Sequence, residues 1–501
     1  ELDDKSAERK KKRRRRRRKR RSRKRPRHTR LSSRVEGVLD FLAVFLCLPK
    51  SILSKIISLV LMMTTTLTTR VATTTTTTTT TRRGGNNGGF FATTSREDSI
   101  AVRHHNQRDL LFNKTPQRGG GRFAAGWFWW CAPRSNSTAA TPSPSSVVNA
   151  SKEEDTAYLP LYAADWARVD LPPGHRFPME KYRMTRRTIE KEPREWLRYS
   201  MRQSPTAAKE DVLLAHEKEY VERVLAQKLS REEARTIGFP MSEESDGYLS
   251  TTVLSEDETK RGKQHVMRSL ASTGGTIACT RDVLEHGFLW AGQLAGGTHH
   301  AFAGHGEGFC VFNDIACAVR VAQRDYKELF EGEEKNVLIV DLDVHQGNGT
   351  AKIFENDKNV ITYSIHGDRN YPWKTRMMSD YDIALPDECE DEEYLKALKE
   401  SLPKVFERHK PFLVYFQAGV DALKADSFGR LSMTREGLRK RNNIVLALCV
   451  EYNCKLVTTM GGGYAKPIER SVECHSDVFR IMALKHKAII EERQYLEKMM
   501  S

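Results

Sequence analysis

Four short clusters in the second half of this 501-residue chain hold side chains suited to metal-assisted hydrolysis. The first, Asp341-Leu342-Asp343-Val344-His345-Gln346-Gly347-Asn348-Gly349, follows an apolar run at 336–340. In extended chain, residues two apart point the same way, so Asp343 and His345 present a carboxylate and an imidazole to one ion. Asp341, one pair further in, is placed to orient a neighbour. The second, Gln417-Ala418-Gly419-Val420-Asp421, follows the apolar run 412–416. An acid directly beyond a buried strand is either a helix N-cap or a ligand. Two carboxylates and one imidazole leave a zinc ion with an open position for water, which is the catalytic arrangement.

The third cluster is Gly296-Gly297-Thr298-His299-His300, followed by Gly308-Phe309-Cys310-Val311-Phe312-Asn313-Asp314. Glycines permit close backbone approach, Asn313-Asp314 reads as a helix start, and histidine is the side chain best matched to proton transfer near neutral pH. The fourth is Gly461-Gly462-Gly463-Tyr464, after an apolar run at 455–459. Three glycines let the chain crowd a ligand, and a tyrosine hydroxyl there can donate to a developing oxyanion. Each cluster alone also fits a plainer reading: a surface turn, a helix cap, a solvated histidine pair, a loop tyrosine over the core edge. Together they are far more specific.

Positioning these clusters requires a scaffold, and the pattern from about residue 157 to 499 supplies one. Short apolar runs at 336–342, 360–365, 412–416 and 455–459 read as strands. Helical patterns cover 276–286, 314–327, 392–410, 434–451 and 476–493. Such alternation predicts an α/β fold, a single open and mostly parallel sheet sandwiched by helices. Three of the four clusters directly follow apolar runs, where strands end and where open sheets bind ligands.

Ahead of this body the composition is different. The chain carries a formal charge of +17, yet residues 1–34 hold 20 Lys/Arg against 4 Asp/Glu, so the rest is nearly neutral. A Thr tract, a Gly/Asn patch and a Ser/Pro/Thr-rich stretch follow, and residues 1–150 read as a low-complexity, disordered leader to a domain at 151–501. An apolar stretch at 38–63 is interrupted by Pro49, Lys50 and Lys55, so neither half reaches the ~20 residues of a membrane span. From Met63 to residue 96 the sequence is Thr- and Arg-bearing and free of acids, like a transit peptide. A start at Met62 or Met63 would direct the chain to a plastid or mitochondrion; otherwise nucleus or cytoplasm is expected. The nine cysteines include no CxxC pair and fit buried free thiols.

In this order the four clusters resemble the histone deacetylase family, from about Leu159 to Ala483. The resemblance also runs through His175-Arg176-Phe177-Pro178, Gly274-Gly275-Thr276 and Ser364-Ile365-His366. The phrases GGTHHAF…GEGFCVFND and DLDVHQGNGT are most similar to class IV members and their bacterial relatives, with Asn348 standing where class I enzymes carry an aspartate. It implies the arginase/deacetylase fold and an enzyme acting on acyl-lysine in histones or other proteins. It implies zinc on Asp343, His345 and Asp421, with His300 as general base and acid. His299 would tune it, with Asp341 behind His299 and Asn348 behind His300. Tyr464 would polarise the acyl carbonyl. Phe309, with Gly308, Gly462 and Tyr371, would line the acyl-lysine channel, although 368–378 departs from the class I pattern. A potassium ion beneath the zinc would use groups of Asp341 and Ser364.

Rival readings remain. An acetylpolyamine amidohydrolase would share fold and site, and channel depth and rim acidity separate the two. A binuclear manganese arginase needs more carboxylates than these clusters supply. A nucleic-acid-binding protein would act through the Arg-rich tail, which has ample charge but no interleaved aromatics. A catalytically dead acyl-lysine reader is disfavoured because every matched position is chemically competent.

Overall fold

The computed structural model describes residues 156–239, 256–331 and 336–500. The expected leader, its transit-peptide stretch and the basic tail lie outside the described residues.

Eight strands form one sheet: β1 (Leu159–Ala163), β2 (Tyr199–Gln203), β3 (Trp290–Gln293), β4 (Val337–Asp341), β5 (Val360–Gly367), β6 (Tyr381–Leu385), β7 (Leu413–Gln417) and β8 (Lys455–Thr459). Their order is β2-β1-β3-β8-β7-β4-β5-β6, and every pairing is parallel. Eleven α-helices connect them among the described residues: α1 (Glu180–Glu190), α2 (Arg194–Leu197), α3 (Lys209–Val212), α4 (Lys218–Leu225), α5 (Arg231–Ile237), α6 (Glu256–Leu284), α7 (Asp314–Asp325), α8 (Asn348–Phe354), α9 (Asp391–His409), α10 (Arg435–Glu451) and α11 (Glu469–Met500).

β3, β4, β5 and β7 are buried along their whole length because both faces carry helices. Alternate residues of β4 go to opposite sides: Leu338 and Val340 join the core under α9, α10 and α11, while Val337 and Ile339 join the core under α6 and α7. β7 repeats the pattern, with Val414 and Phe416 on the first side and Leu413 and Tyr415 on the second. This two-sided burial is why these strands read as unbroken apolar runs.

The crossover in strand order decides where the chemistry sits. β3, β8, β7 and β4 are contiguous, and the four clusters are the loops that leave their carboxyl ends. Segments some 160 residues apart in sequence meet here because the chain leaves β3, skips two places and fills them last.

Candidate active site

The strand in the first cluster stops at Asp341, so Asp343 and His345 stand on a bent loop and not in extended chain. They converge nonetheless. The His345 Nδ1 lies 3.0 Å from Asp343 Oδ1 and 3.1 Å from Asp421 Oδ2. Asp421 caps no helix; its Oδ1 accepts from the Val344 amide at 2.9 Å, tying the β4 loop to the β7 loop. Asp343 accepts from the Gly462 amide at 2.7 Å, tying in the β8 loop. A Cβ on Gly462 would fall 1.9 Å from Asp421 Oδ2, so only glycine lets that backbone approach the carboxylates.

One ligand atom each from Asp343, His345 and Asp421 lies within 4.8 Å of the others, and all three residues are buried. Burial and the neighbouring Asp343 charge push the Asp421 carboxyl up to about 7. Burial works against a charged His345 ring, but Asp343 and Asp421 carry it up to about 10. Two buried carboxylates crowded on one side of an imidazole call for positive charge, and this donor set fits a divalent ion of zinc's kind.

The histidine pair is held from α7. Asp314 accepts from the Thr298 amide at 2.7 Å and from the hydroxyls of Thr298 and Thr276 at 2.6 Å, while Asn313 caps the helix. His299 and His300 face different partners. His299 Nδ1 lies 2.6 Å from Asp341 Oδ2, and His300 Nδ1 lies 2.7 Å from Asn348 Oδ1. Burial lowers both rings, but Asp341 and Asp343 outweigh it at His299 and raise that ring above its usual range. At His300, burial together with His299 and His345 pushes the ring well below its usual range. One imidazole favours the proton and the other stays neutral.

Asn348 also fixes the tautomer. Its Nδ2 donates to the Thr375 carbonyl at 3.0 Å and to Glu307 Oε1 at 3.2 Å, groups that can only accept, so its Oδ1 faces His300. The hydrogen of His300 is therefore on Nδ1, and Nε2 keeps its lone pair. Glu307 gave no signal in the sequence beyond its place two residues before Phe309. It also accepts from the hydroxyls of Thr375, at 2.7 Å, and Tyr371. Burial opposes its ionisation, but these bonds with those of His305 and Asn348 hold its carboxyl below the usual range.

An inner cavity beside His299, His300, Asp343, His345 and Tyr464 shares lining residues with an outer one of about 330 Å³. Gly308, Phe309 and Tyr464 line both, and Tyr371 stands on the outer wall, its ring 5.0 Å from that of His300. Phe309 holds a φ of 67°, which costs about 1 kcal/mol or more for a side chain of its size. The amides of Gly308 and Phe309 bond to the last carbonyls of α5, Thr236 and Ile237, at 3.1 and 2.7 Å and pin this conformation. Tyr464 packs 4.8 Å from Phe428, and its amide donates to Asp426 at 2.6 Å. Burial and the carboxylates of Asp343 and Asp421 raise its hydroxyl well above the usual range, so it remains an O–H donor.

Two buried cations beneath these loops were not singled out by sequence. Lys181 donates to the Gly461 carbonyl at 3.1 Å with its ammonium 4.9 Å over the Tyr464 ring. Arg441, on α10, donates to the carbonyls of Leu342 at 3.0 Å and Gly419 at 2.6 Å, under the β4 and β7 loops.

An open parallel α/β sheet brings a carboxylate–imidazole triad and a histidine pair together at its carboxyl edge, where such sheets bind ligands. The histone deacetylase domain profile matches residues 175–479, and the chain belongs to that family. An uncharacterised protein of Picosynechococcus is 38% identical over 324 residues, covering 64% of this chain and 96% of its own length. Histone deacetylase 2 of Arabidopsis thaliana is 32% identical over 201 residues, 40% of this chain and 50% of that protein. Acetoin utilization protein AcuC of Staphylococcus aureus is 28% identical over 273 residues, 52% of this chain and 64% of that protein. The crystal structure of an HDAC homolog complexed with SAHA superposes with a TM-score of 0.51 at 21% identity, covering 66% of this chain and 84% of that one. That likeness shows the shared fold. The seven described cysteines are free and buried, as expected.

Proposed function

We propose that residues 151–501 form a zinc-dependent deacylase that hydrolyses N-acyl-lysine amides on histones or other proteins. The observation that carries this reading is the unequal histidine pair, one ring backed by a carboxylate and its neighbour by an amide. When bound by Asp343, His345 and Asp421, zinc supplies Lewis acidity that polarises the acyl oxygen and acidifies water. His300 takes the proton of the attacking water at Nε2 and returns it to the leaving amine. His299, kept charged by Asp341, stabilises negative charge next to it and keeps His300 from holding a proton prematurely. Tyr464 donates its hydroxyl to the acyl oxygen as charge develops there. Phe309 and Tyr371 flank the aliphatic stem. Asp341 and Ser364 are register partners on β4 and β5, and groups of these two residues would hold a structural potassium ion. Asn348 behind His300 supports the class IV reading.

The test is a panel of acetyl-lysine and longer acyl-lysine peptides assayed with and without a zinc chelator. Hydrolysis that is lost on chelation and restored by zinc is expected, with about one zinc per chain that is absent from Asp421→Ala. Chelator-resistant hydrolysis, or full zinc content in Asp421→Ala, overturns the ligand assignment.

A further inference from the structure

The outer cavity has a charge that the catalytic reading does not need. Arg176, Arg235, Arg369 and Arg430 line it, and no carboxylate does. They come from four separate segments: the turn before α1, the last turn of α5, the loop after β5 and the loop after β7. All four are exposed. Arg430 is partly offset by Asp387 at 2.7 Å. The guanidinium of Arg176 lies 5.2 Å over the Phe428 ring, which in turn packs on Tyr464, so this cation is fixed beside the channel. Among the described residues, Arg176, Arg235 and Arg369 have no carboxylate partner. Exposed Trp373 completes the rim, its indole N–H donating to the Arg369 carbonyl at 2.9 Å and so tying the two residues together.

We propose that these four arginines select acyl-lysines embedded in acidic protein segments, against acetylpolyamines and Lys/Arg-rich tails. The inference rests on the channel being the acyl-lysine site, and within that reading it favours other proteins over the basic tails of histones. Cations that line one cavity reinforce one another at a single ligand, and they do so around an opening whose walls are low in dielectric. An acyl-lysine enters stem first, so the residues on either side of it are left at the rim among the guanidiniums. Carboxylates there gain charge-assisted, bidentate partners. Ammonium groups meet repulsion from several directions, so discrimination draws on that repulsion as well as on the attraction for carboxylates.

The test measures binding apart from turnover. Fluorescein-labelled acetyl-lysine peptides of equal length, flanked by Asp/Glu or by Lys/Arg, are titrated with the full chain by anisotropy, alongside their unacetylated forms. The acetyl-dependent affinity is expected to favour the acidic peptide about tenfold or more near 50 mM salt and to converge near 500 mM. Arg176→Glu/Arg369→Glu is expected to abolish or invert the preference, and Arg176→Gln/Arg369→Gln to give an intermediate value, with circular dichroism verifying the fold of each. The basic N-terminal tail is present in every variant, so a preference that survives charge reversal belongs to the tail and overturns the proposal. Equal or tighter binding of the basic peptide, or of acetylspermidine in competition, overturns it as well. Selective binding of the acidic peptide with no hydrolysis of any acyl-lysine peptide upholds the rim assignment while defeating the catalytic reading.

Discussion

His300 and Asn348 are joined through a single hydrogen bond of 2.7 Å, and that bond decides which nitrogen of His300 is basic. The amide oxygen accepts and carries no charge, so it orients the ring without making it hold a proton. A carboxylate in the same place would orient it too, but would also raise its pKa.

Asn348→Ala removes the acceptor and lets the hydrogen move to Nε2, where it blocks proton abstraction. A fall of about 10- to 100-fold in kcat with little change in KM is expected. In the wild type, the depressed pKa of His300 keeps the base neutral well into acid. With zinc held saturating, the acid limb of kcat/KM should therefore lie below the ordinary histidine value of 6.5. An acid limb above that value, or an alanine variant within about threefold of wild type, sinks the tautomer argument.

A second histidine makes the fold sensitive to acid. His216 Nε2 accepts from the Asn313 amide at 2.9 Å, just ahead of α7, so that nitrogen is unprotonated. Burial, against the rings of Tyr220 and Phe312, pushes its pKa down to about 4 from 6.5. The unfolded chain takes up this proton first as pH falls. The stabilisation is thus whole above about 6.5 and is lost progressively down to about 4. Between about pH 7 and pH 5 this group removes on the order of 2 kcal/mol. His216→Gln keeps an acceptor for Asn313 and cannot titrate. Urea unfolding at both pH values should show a smaller pH penalty in the variant by about that amount, whatever its stability at pH 7. An unchanged difference between the two pH values shows that His216 is not a determinant.

How much of this was legible beforehand differs by element. β4 and β7 were readable because burial on both faces makes them nearly plain apolar runs, while β5 and β8 showed through their β-branched residues, and Lys455–Thr459 was placed to the residue. The edge strands β2 and β6 were not, since YSMRQ and YDIAL carry polar residues on a partly open face. β3 is only four residues and includes Gly292, where a Cβ would fall 2.7 Å from Leu161 Cδ2; close packing against β1 outweighs glycine's poor strand propensity. α6 was expected from residue 276 and begins at Glu256, because its polar first half gives little apolar periodicity. Within the site, the clustered residues Asp341, Asp343, His345, Asp421 and Tyr464 were visible from local pattern. Glu307 and Lys181 were not, because their roles depend on partners 41 and 280 residues away that only the folded topology supplies.

Lys181 and Tyr464 supply the last prediction, because one supports the loop that carries the other. In amide hydrolysis the acyl oxygen gains charge as water attacks, so a donor aimed there stabilises the transition state more than the substrate. A single oxyanion donor is worth about 3–4 kcal/mol. Tyr464→Phe keeps the ring against Phe309 and Phe428 and removes only the hydroxyl. A loss of roughly 100- to 1000-fold in kcat is expected, with substrate affinity and zinc content nearly unchanged. Lys181→Met keeps a stem of similar length and loses the charged bond to the Gly461 carbonyl. A bond to a charged group contributes about 1.5–3 kcal/mol, part of which goes to the position of the loop and not to the chemistry. The methionine variant should therefore lose about tenfold in kcat and also unfold more readily, whereas Tyr464→Phe should unfold like wild type. In the double variant the two losses should not multiply, because a loop without its donor has nothing left to misplace. Single-turnover assays and urea unfolding on the four proteins decide the matter. If Tyr464→Phe turns over within about threefold of wild type, Tyr464 is a loop residue; if the losses multiply in full, Lys181 acts on something other than Tyr464.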